Sequence, residues 1–336
     1  MSQTGRKLSI KILRWIVTIG LLIYVVYKTE LFDADKRKQI ILFIWSADIL
    51  LLTLSILFTV VINLISAFKW YMLVKARNIP LGFIKSYFYY MAAKFFNLVL
   101  PTSVGGDLIR IHELGKQYNC YADAAASVFV ERFTGMITLV IIAVITLFLN
   151  LSIFNAPHII FSIIVLSLVL FIIGLLVINK RPLQFIKKKI GNKFGLLSSV
   201  FLKIESFQNV ISYYSNNYKI IWIAFINSLV FYMAAVINVW VSALPFDPRI
   251  DFTGILIAVP MVMIIMNIPI SIGGIGLMEF AYTFTFELVG YSPVLAISVA
   301  LLMRLKTFVD AGIGGIIYMF ISQDRSIAKQ VKLKSK

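Results

Sequence analysis

Residues 97–107, NLVLPTSVGGD, and residues 267–277, NIPISIGGIGL, decide the fold of this chain. Each stretch carries Pro-x-Ser-x-Gly-Gly within an apolar region, with an Asn shortly before the proline. Proline cannot continue a helix and glycine tolerates positive φ, so each motif is expected to stop a helix and turn the chain. Pro101 and Pro269 lie 168 residues apart (269 minus 101), half of the 336-residue chain. This spacing indicates an internal repeat.

The composition identifies a polytopic membrane protein. Hydrophobic residues make up 60% of the chain and charged residues 14%, whereas soluble domains carry roughly 25% charge. A water-soluble enzyme and a disordered chain are excluded, and the single cysteine excludes a disulfide scaffold. With two histidines, neither a metal centre nor another cofactor is expected. The net charge of +17 is spread over loops, which favours anionic lipid over nucleic acid as its partner.

The apolar stretches predict an all-α polytopic fold with six spanning helices and two re-entrant helical hairpins. A helix must be about 20 residues long to cross a hydrocarbon core of roughly 30 Å. The hairpins are predicted at 84–119 and 252–290, where the Pro-Gly motifs interrupt the apolar pattern. The predicted spans are 12–27, 47–68, 127–150, 158–178, 219–243 and 294–320.

The distribution of Lys and Arg predicts the orientation. The positive-inside rule places both termini and the basic loops 69–85 and 180–219 in the cytoplasm. We expect a multi-pass protein of the bacterial plasma (inner) membrane. Within the second loop, basic and apolar residues alternate over 180–218, which is typical of an interfacial helix on anionic headgroups and equally of a solvated basic linker.

This orientation makes the two halves inverted copies. The first broken region would enter and leave on the cytoplasmic side, and the second on the outer side. We therefore predict an inverted-topology repeat, with halves 1–156 and 157–336, as in many secondary transporters. The region 252–290 could instead cross the membrane twice, although arms of about 15 residues are short for that.

The helices that follow the Gly-Gly pairs are predicted to begin near the middle of the membrane. Free N–H groups at such a helix end carry roughly half a positive charge and favour an anion. Two such ends would frame a central cavity for a phosphate or carboxylate. The alternative is that these glycines only allow close helix packing.

Charged side chains in apolar regions are functional candidates, because placing one in hydrocarbon costs about 2.5–3.5 kcal/mol or more. We hypothesise that Arg110, Arg132 and Arg304 supply positive charge for a lipid phosphate, and that acids hold these arginines or couple a proton. The alternative is a set of structural ion pairs, of which Lys306 with Asp310 is one expected pair. The predicted substrate-binding residues are Ser103, Gly105, Gly106, Asp107, Arg110, Glu131, Arg132, Ser271, Gly273, Gly274, Glu279 and Arg304.

Three motifs carry a resemblance to a known family. The runs NLVLPTSVGGDLIRIHEL (97–114), AAASVFVERFTGM (124–136) and NIPISIGGIGLMEF (267–280) resemble the lysylphosphatidylglycerol synthase transmembrane-region family, the flippase-like membrane half of the bacterial multiple-peptide-resistance factor. Here Thr102 stands where that family usually has Ser. The matching residues are Pro101, Gly105, Gly106 and Asp107, then Glu131 and Arg132, then Gly273, Gly274, Gly276 and Glu279.

The resemblance implies a lipid translocase with re-entrant helices that moves phospholipid, such as aminoacylated phosphatidylglycerol, between leaflets. The residues after the last predicted span form a short basic tail rather than a soluble transferase domain, so we expect either that another enzyme makes the substrate or that the lipid is a different one. A second copy of the chain is a further expected partner. Two alternatives remain: an integral-membrane enzyme or subunit in lipid-linked glycan synthesis, and an ion-coupled small-molecule transporter.

Overall fold

The computed structural model describes residues 3–30, 33–100, 105–149, 195–268, 270–271 and 273–334, with short pieces between 165 and 179. Within these residues every regular element is an α-helix. The helices are α1 (Gln3–Lys28), α2 (Ala34–Trp45), α3 (Ile49–Lys75), α4 (Phe83–Val99), α5 (Gly105–Tyr118), α6 (Tyr121–Leu149), α7 (Gly195–Asn216), α8 (Tyr218–Ala243), α9 (Phe252–Met266), α10 (Leu277–Leu288) and α11 (Pro293–Lys334).

Three described helices are long and apolar enough to cross a membrane. They are Ile49–Lys75, Tyr121–Thr146 and Tyr218–Ala243, each 26 or 27 residues long. At 1.5 Å per residue, such a helix is about 40 Å long, which exceeds a core of roughly 30 Å. The predictions for 47–68 and 219–243, and for most of 127–150, are therefore confirmed as spans by length and composition.

The other three predicted spans are not established in this way. The apolar part of α1, Ile16–Lys28, is shorter than a full span. The stretch 294–320 lies within α11, which also carries Arg304, Lys306 and Asp310. The stretch 158–178 falls almost entirely outside the described residues. The total of six spans stays a prediction.

Each of the two broken regions contains a pair of shorter helices. Helices α4 and α5 have 17 and 14 residues, and α9 and α10 have 15 and 12. At 1.5 Å per residue, α9 and α10 reach only about 22 Å and 18 Å, which is less than the core thickness. Helices α9 and α10 pack against each other, as two arms of one hairpin would.

The described chain divides into two compact units. The first unit comprises residues 1–64, 87–109 and 233–336, and the second comprises 65–86 and 110–232. In the first unit, α10 packs against α1, α9 and α11. Its core includes Val236, Ile255, Phe286 and Ala300. This division concerns packing, and the internal repeat with its boundary at residue 156 stays a prediction.

In the second unit, helix α7 forms part of the basic segment 180–218. For this segment the sequence left two alternatives open, an interfacial helix and a solvated linker. Helix α7 packs against α6, and its Tyr214 is fully buried. The Tyr214 hydroxyl donates to the carbonyl oxygen of Leu73 at 2.9 Å, and burial raises the pKa of this phenol. The part of α7 around Tyr214 is therefore packed against the protein and is not a solvated linker. Residues 180–194 lie outside the described residues, and an interfacial location stays a prediction.

Candidate functional site

In the first unit, the turn that leads into α10 needs glycine for its backbone conformation. Gly273, Gly274 and Gly276 have φ values of 59°, 71° and 76°. Residues with a Cβ atom avoid this left-handed region, and glycine enters it without that penalty. The expectation that the second motif turns the chain through positive φ is confirmed here.

Arg304 of α11 holds this turn in place. Its Nε and Nη2 atoms donate to Oε1 and Oε2 of Glu279 at 2.8 Å and 3.0 Å. Its Nη1 and Nη2 atoms also donate to the carbonyl oxygens of Gly273, at 3.2 Å, and Gly274, at 2.6 Å. Both charged side chains are about nine-tenths buried. The guanidinium thus joins the turn to helix α11 through hydrogen bonds. The expected pairing of Glu279 with an arginine is confirmed.

The N-terminus of α10 already has an anion from its own chain. Glu279 accepts the N–H of Gly276 at 2.8 Å, where a carboxylate is favoured by the helix dipole. The N-terminal part of α5 is served by Asn97, whose Oδ1 accepts the N–H of Gly106 at 2.7 Å. The expectation that these N–H groups are free for a ligand is therefore wrong for Gly106 and Gly276.

The first Gly-Gly pair serves close packing. A Cβ atom at Gly106 would overlap the carbonyl oxygen of Ala93, and one at Gly105 would lie 2.7 Å from a side-chain carbon of Leu100. Neither glycine has a positive φ, and both begin helix α5. The two motifs therefore use the same residue type for different reasons. The asparagines differ as well, since Asn267 donates back to the carbonyl of Met263 in its own helix at 2.8 Å.

The two broken regions meet within the first unit. A Cβ atom added at Gly273 would lie 3.2 Å from the carbonyl oxygen of Leu98. The carboxyl end of α4 and the turn before α10 are therefore neighbours. Residues 101–104, including the predicted site residue Ser103, lie outside the described residues.

Two polar networks in the first unit correct an expected ion pair. Asp310 accepts from Lys94 at 2.6 Å and from Asn63 at 3.0 Å, and Lys94 also donates to the Asn63 side-chain oxygen. Lys306 instead donates to Asn238 at 3.0 Å and to Ser242 at 2.7 Å. The predicted Lys306–Asp310 pair is wrong, because other helices supply nearer partners to both side chains.

The second unit contains a separate cluster of charged and aromatic residues. Arg110 donates from Nη1 to Oε2 of Glu131 at 2.7 Å, with the two side chains 3% and 10% exposed. The Arg110 guanidinium lies 5.1 Å from the ring centroid of Trp70. Lys69 donates to the backbone carbonyl of Glu131 at 2.7 Å. Trp70 is fixed in turn by its indole N–H, which donates to Ser127 at 3.1 Å.

The structure therefore separates the predicted residues into local groups. The expectation that acids hold the arginines is met at Arg110 by Glu131 and at Arg304 by Glu279, partners that the sequence did not specify. Asp107 is buried and Arg132 half-buried, and both have partners. Ser271 is buried, and within the described residues its hydroxyl has no hydrogen-bond partner. A substrate-binding role for any of these residues stays a prediction.

Sequence reasoning missed Lys69 and Trp70. Both lie near the end of a long apolar helix, where a lysine reads as a snorkelling surface residue and a tryptophan as part of an interfacial belt. Trp70 is fully buried and Lys69 is 6% exposed. The segment 69–85, which begins at Lys69 and carries four bases and no acid, was the one feature of the sequence that pointed to a charged site there. Among the described residues, no group of three His, Cys, Asp or Glu side chains could hold a metal ion.

The fold and these buried ion pairs define a helical membrane protein with charged groups in its interior. The chain matches the family described as lysylphosphatidylglycerol synthase TM region over residues 12–314, and it belongs to that family. It is 23% identical, over 293 residues, to the UPF0104 membrane protein PH1989 of Pyrococcus horikoshii, with 81% of this chain and 88% of that protein covered. No solved structure matches the chain.

Proposed function

We propose that the protein is a lipid translocase, which moves an anionic or aminoacylated phospholipid between membrane leaflets. The observation that carries this proposal is the family match over residues 12–314. The buried ion pairs support it, because charges within a membrane protein are costly and mark substrate or ion pathways. The proposed activity is transport rather than catalysis. No cofactor is invoked, and movement would be downhill or driven by an ion gradient.

The proposed topology has six spans and two re-entrant hairpins, 84–119 and 252–290, in an inverted repeat. Both termini would be cytoplasmic, in the plasma membrane of a bacterium. The short reach of α9 and α10, about 22 Å and 18 Å at 1.5 Å per residue, favours a hairpin over two crossings. The contact of Gly273 with Leu98 supports hairpins that meet.

Arg110 is the proposed phosphate ligand. A lipid phosphate would displace Glu131 from the guanidinium, since both anions fit the same planar pair of N–H donors. The ring of Trp70, 5.1 Å from the guanidinium carbon, would keep the arginine in place during the exchange. The released Glu131 is then the group that would take up a proton. Arg304, which is tied to Glu279 and two backbone carbonyls, is proposed to position the turn rather than to contact lipid.

The proposed partners follow from this transport activity. The substrate is a membrane phospholipid, and a separate lipid-modifying enzyme would supply an aminoacylated form. Anionic lipid at the basic cytoplasmic segments and a second copy of the chain are further proposed partners.

The test is a leaflet-exchange assay on purified protein in liposomes. Fluorescent phosphatidylglycerol, phosphatidylcholine and lysyl-phosphatidylglycerol are compared, with bleaching of the outer leaflet as the readout. We expect protein-dependent exchange of an anionic or aminoacylated lipid, and a loss of at least tenfold in rate for Arg110→Gln. Exchange no faster than in protein-free liposomes for every lipid overturns the proposed function, and protein-dependent exchange that is unchanged in Arg110→Gln overturns Arg110 as the phosphate ligand.

The second unit offers a matched control. Arg77 also pairs with an acid, Asp123, at 2.6 Å, and also lies over an aromatic ring, that of Tyr213, at 4.4 Å. Its side chain is 25% exposed, against 3% for Arg110. Arg77→Gln should leave the exchange rate within about twofold. Product formation from a lipid-linked sugar, or solute uptake without lipid movement, would favour the alternative functions.

A further inference from the structure

An apolar groove runs between the end of α3 and the start of α8, within the second unit. Its volume is about 170 Å³, more than ten times the roughly 10–15 Å³ that one water needs. Six of the eight residues that line it are apolar, and the other two are lysines. The lining residues are Lys69, Met72, Leu73, Lys75, Ala76, Ile220, Ile223 and Ala224.

The groove lies at one end of two spanning helices. Helix α3 ends at Lys75 and α8 begins at Tyr218, and both helices are long and apolar enough to span. Tyr218 and Trp222, in the first turns of α8, are 67% and 61% exposed. Exposed Tyr and Trp at the end of a spanning helix mark the headgroup level of a bilayer. The mouth of the groove therefore lies where headgroups meet acyl chains.

The two lysines are used differently. The Lys69 ammonium is turned inward to the carbonyl of Glu131, so its alkyl stem is what remains to line the groove. The Lys75 side chain is exposed, and its ammonium lies 5.6 Å from the ring centroid of Tyr71. Among the described residues no carboxylate lies within ion-pair distance of it. The mouth of the groove thus offers an uncompensated positive charge.

We infer that this groove holds one acyl chain of an anionic phospholipid, whose phosphate binds Lys75. The apolar side chains that line the groove would contact the acyl chain. Lys75 would supply the positive charge that distinguishes an anionic lipid from a neutral one. The segment 69–85 carries four bases and no acid, so nothing in that stretch opposes a phosphate. The lipid is a bound partner of the protein, and this site does not depend on whether the protein moves lipid between leaflets.

Lipid retention, measured by native mass spectrometry of the full chain, tests the inference. Protein from mixed micelles with phosphatidylglycerol or with phosphatidylcholine of the same acyl chains is compared. We expect phosphatidylglycerol to be retained more than phosphatidylcholine, and Lys75→Gln to lower that preference about fivefold, as expected for one basic residue at a lipid surface. Lys85→Gln makes the same change of charge at an exposed residue outside the groove and should leave the preference unchanged.

A second variant tests the binding of the acyl chain. Ala76→Phe places a ring in the groove and should lower retention of both lipids at least threefold. Its melting temperature, measured in parallel, distinguishes a filled groove from a misfolded protein. If Ala76→Phe does not fold, Ile223→Trp, at a lining residue that is 41% exposed, replaces it and should likewise lower retention of both lipids. Equal retention of the two lipids, or a Lys75→Gln preference equal to that of Lys85→Gln, overturns the inference. A protein that retains phosphatidylglycerol here but moves no lipid would count against the proposed function alone.

Discussion

Arg304 and Glu279, 25 residues apart in the chain, are joined by two parallel hydrogen bonds of 2.8 Å and 3.0 Å. The pair does more than neutralise two buried charges. Arg304 also binds the carbonyl of Gly274, and Glu279 also binds the N–H of Gly276. One ion pair therefore fixes both ends of the turn and the start of α10. Losing either member leaves a buried charge and releases the backbone at the same time.

Substitutions at Arg304 should lower stability in a graded way. Removing one partner of a buried pair costs about 3–5 kcal/mol, so we expect Arg304→Gln to reduce the melting temperature in detergent by about 4–7 °C. Arg304→Lys keeps the charge but loses the planar fork, and should fall between Arg304→Gln and the wild type. Thermal unfolding followed by tryptophan fluorescence measures both.

The double variant Glu279→Gln with Arg304→Gln provides the control for this pair. Residues in direct contact show interaction energies of roughly 0.5–3 kcal/mol, so the double variant should lose less than the sum of the two single losses. Strict additivity, or an Arg304→Gln protein as stable as the wild type, would show that the pair does not hold the turn.

Three glycines in helices of the first unit differ in how closely neighbouring backbone packs against them. A Cβ atom at Gly314 would overlap the carbonyl of Met91, and one at Gly106 that of Ala93, whereas at Gly312 it would meet nothing within 4 Å. Backbone carbonyls in packed helices cannot move aside cheaply. We therefore expect Gly314→Ala and Gly106→Ala to give little folded protein on size-exclusion chromatography. Gly312→Ala, two residues away in the same helix, should give as much folded protein as the wild type. A normal yield of folded Gly314→Ala protein would contradict the close packing at Gly314.

Lys94 and Lys306 are both in the first unit, but within the described part of the chain only Lys94 has a carboxylate partner. Lys94→Met leaves Asp310 with a single donor, Asn63, so we expect a loss of about 1–3 kcal/mol, the usual cost of an unsatisfied buried group. Lys306→Met removes a donor from the neutral side chains of Asn238 and Ser242 but also removes a buried ammonium that has no carboxylate partner among the described residues, so it should cost less than Lys94→Met. Thermal unfolding ranks the two variants. Adding Asp310→Asn to Lys94→Met should restore part of the loss, and the reverse ranking would refute this account.

The sequence predicted the helical class and the principal spans because composition and run length decide both. It also pointed to Arg110, Glu131, Glu279 and Arg304, since a charge within an apolar run must find a partner. It could not choose the partners. Arg110 and Glu131 come from different helices, and only tertiary packing brings them to 2.7 Å.

Local sequence similarity was also a poor guide to local conformation. The two Gly-Gly pairs share a motif, yet Gly273 and Gly274 take positive φ, whereas Gly105 and Gly106 make room for α4. A glycine in a sequence does not say which of these properties is used. The pattern is the same because both demands, a left-handed backbone and a missing Cβ, can be met only by glycine.

The single cysteine provides a test of the proposed orientation. The proposed topology would place Cys120, between α5 and α6, on the cytoplasmic side. A membrane-impermeant maleimide should therefore label it in inside-out vesicles and not in intact cells. Arg249→Cys in a Cys120→Ser background, at an exposed residue of a loop placed outside, should give the opposite result. Labelling of Cys120 from outside would contradict the proposed orientation.

The pH dependence of that labelling tests the surroundings of Cys120 in the same experiment. Partial burial, and secondarily the charge of Asp123, raise the pKa of its thiol above the ordinary value. Because the thiolate is the reactive form, a raised pKa lowers the rate at neutral pH and keeps it rising at pH values where an ordinary thiol has levelled off. Between pH 8 and 9 the rate should therefore rise more steeply than that of a cysteine in a short unstructured peptide without neighbouring charges, measured alongside. Asp123→Asn, which removes the charge, should flatten this rise slightly, and a profile equal to that of the peptide would show that Cys120 is not partly buried beside Asp123.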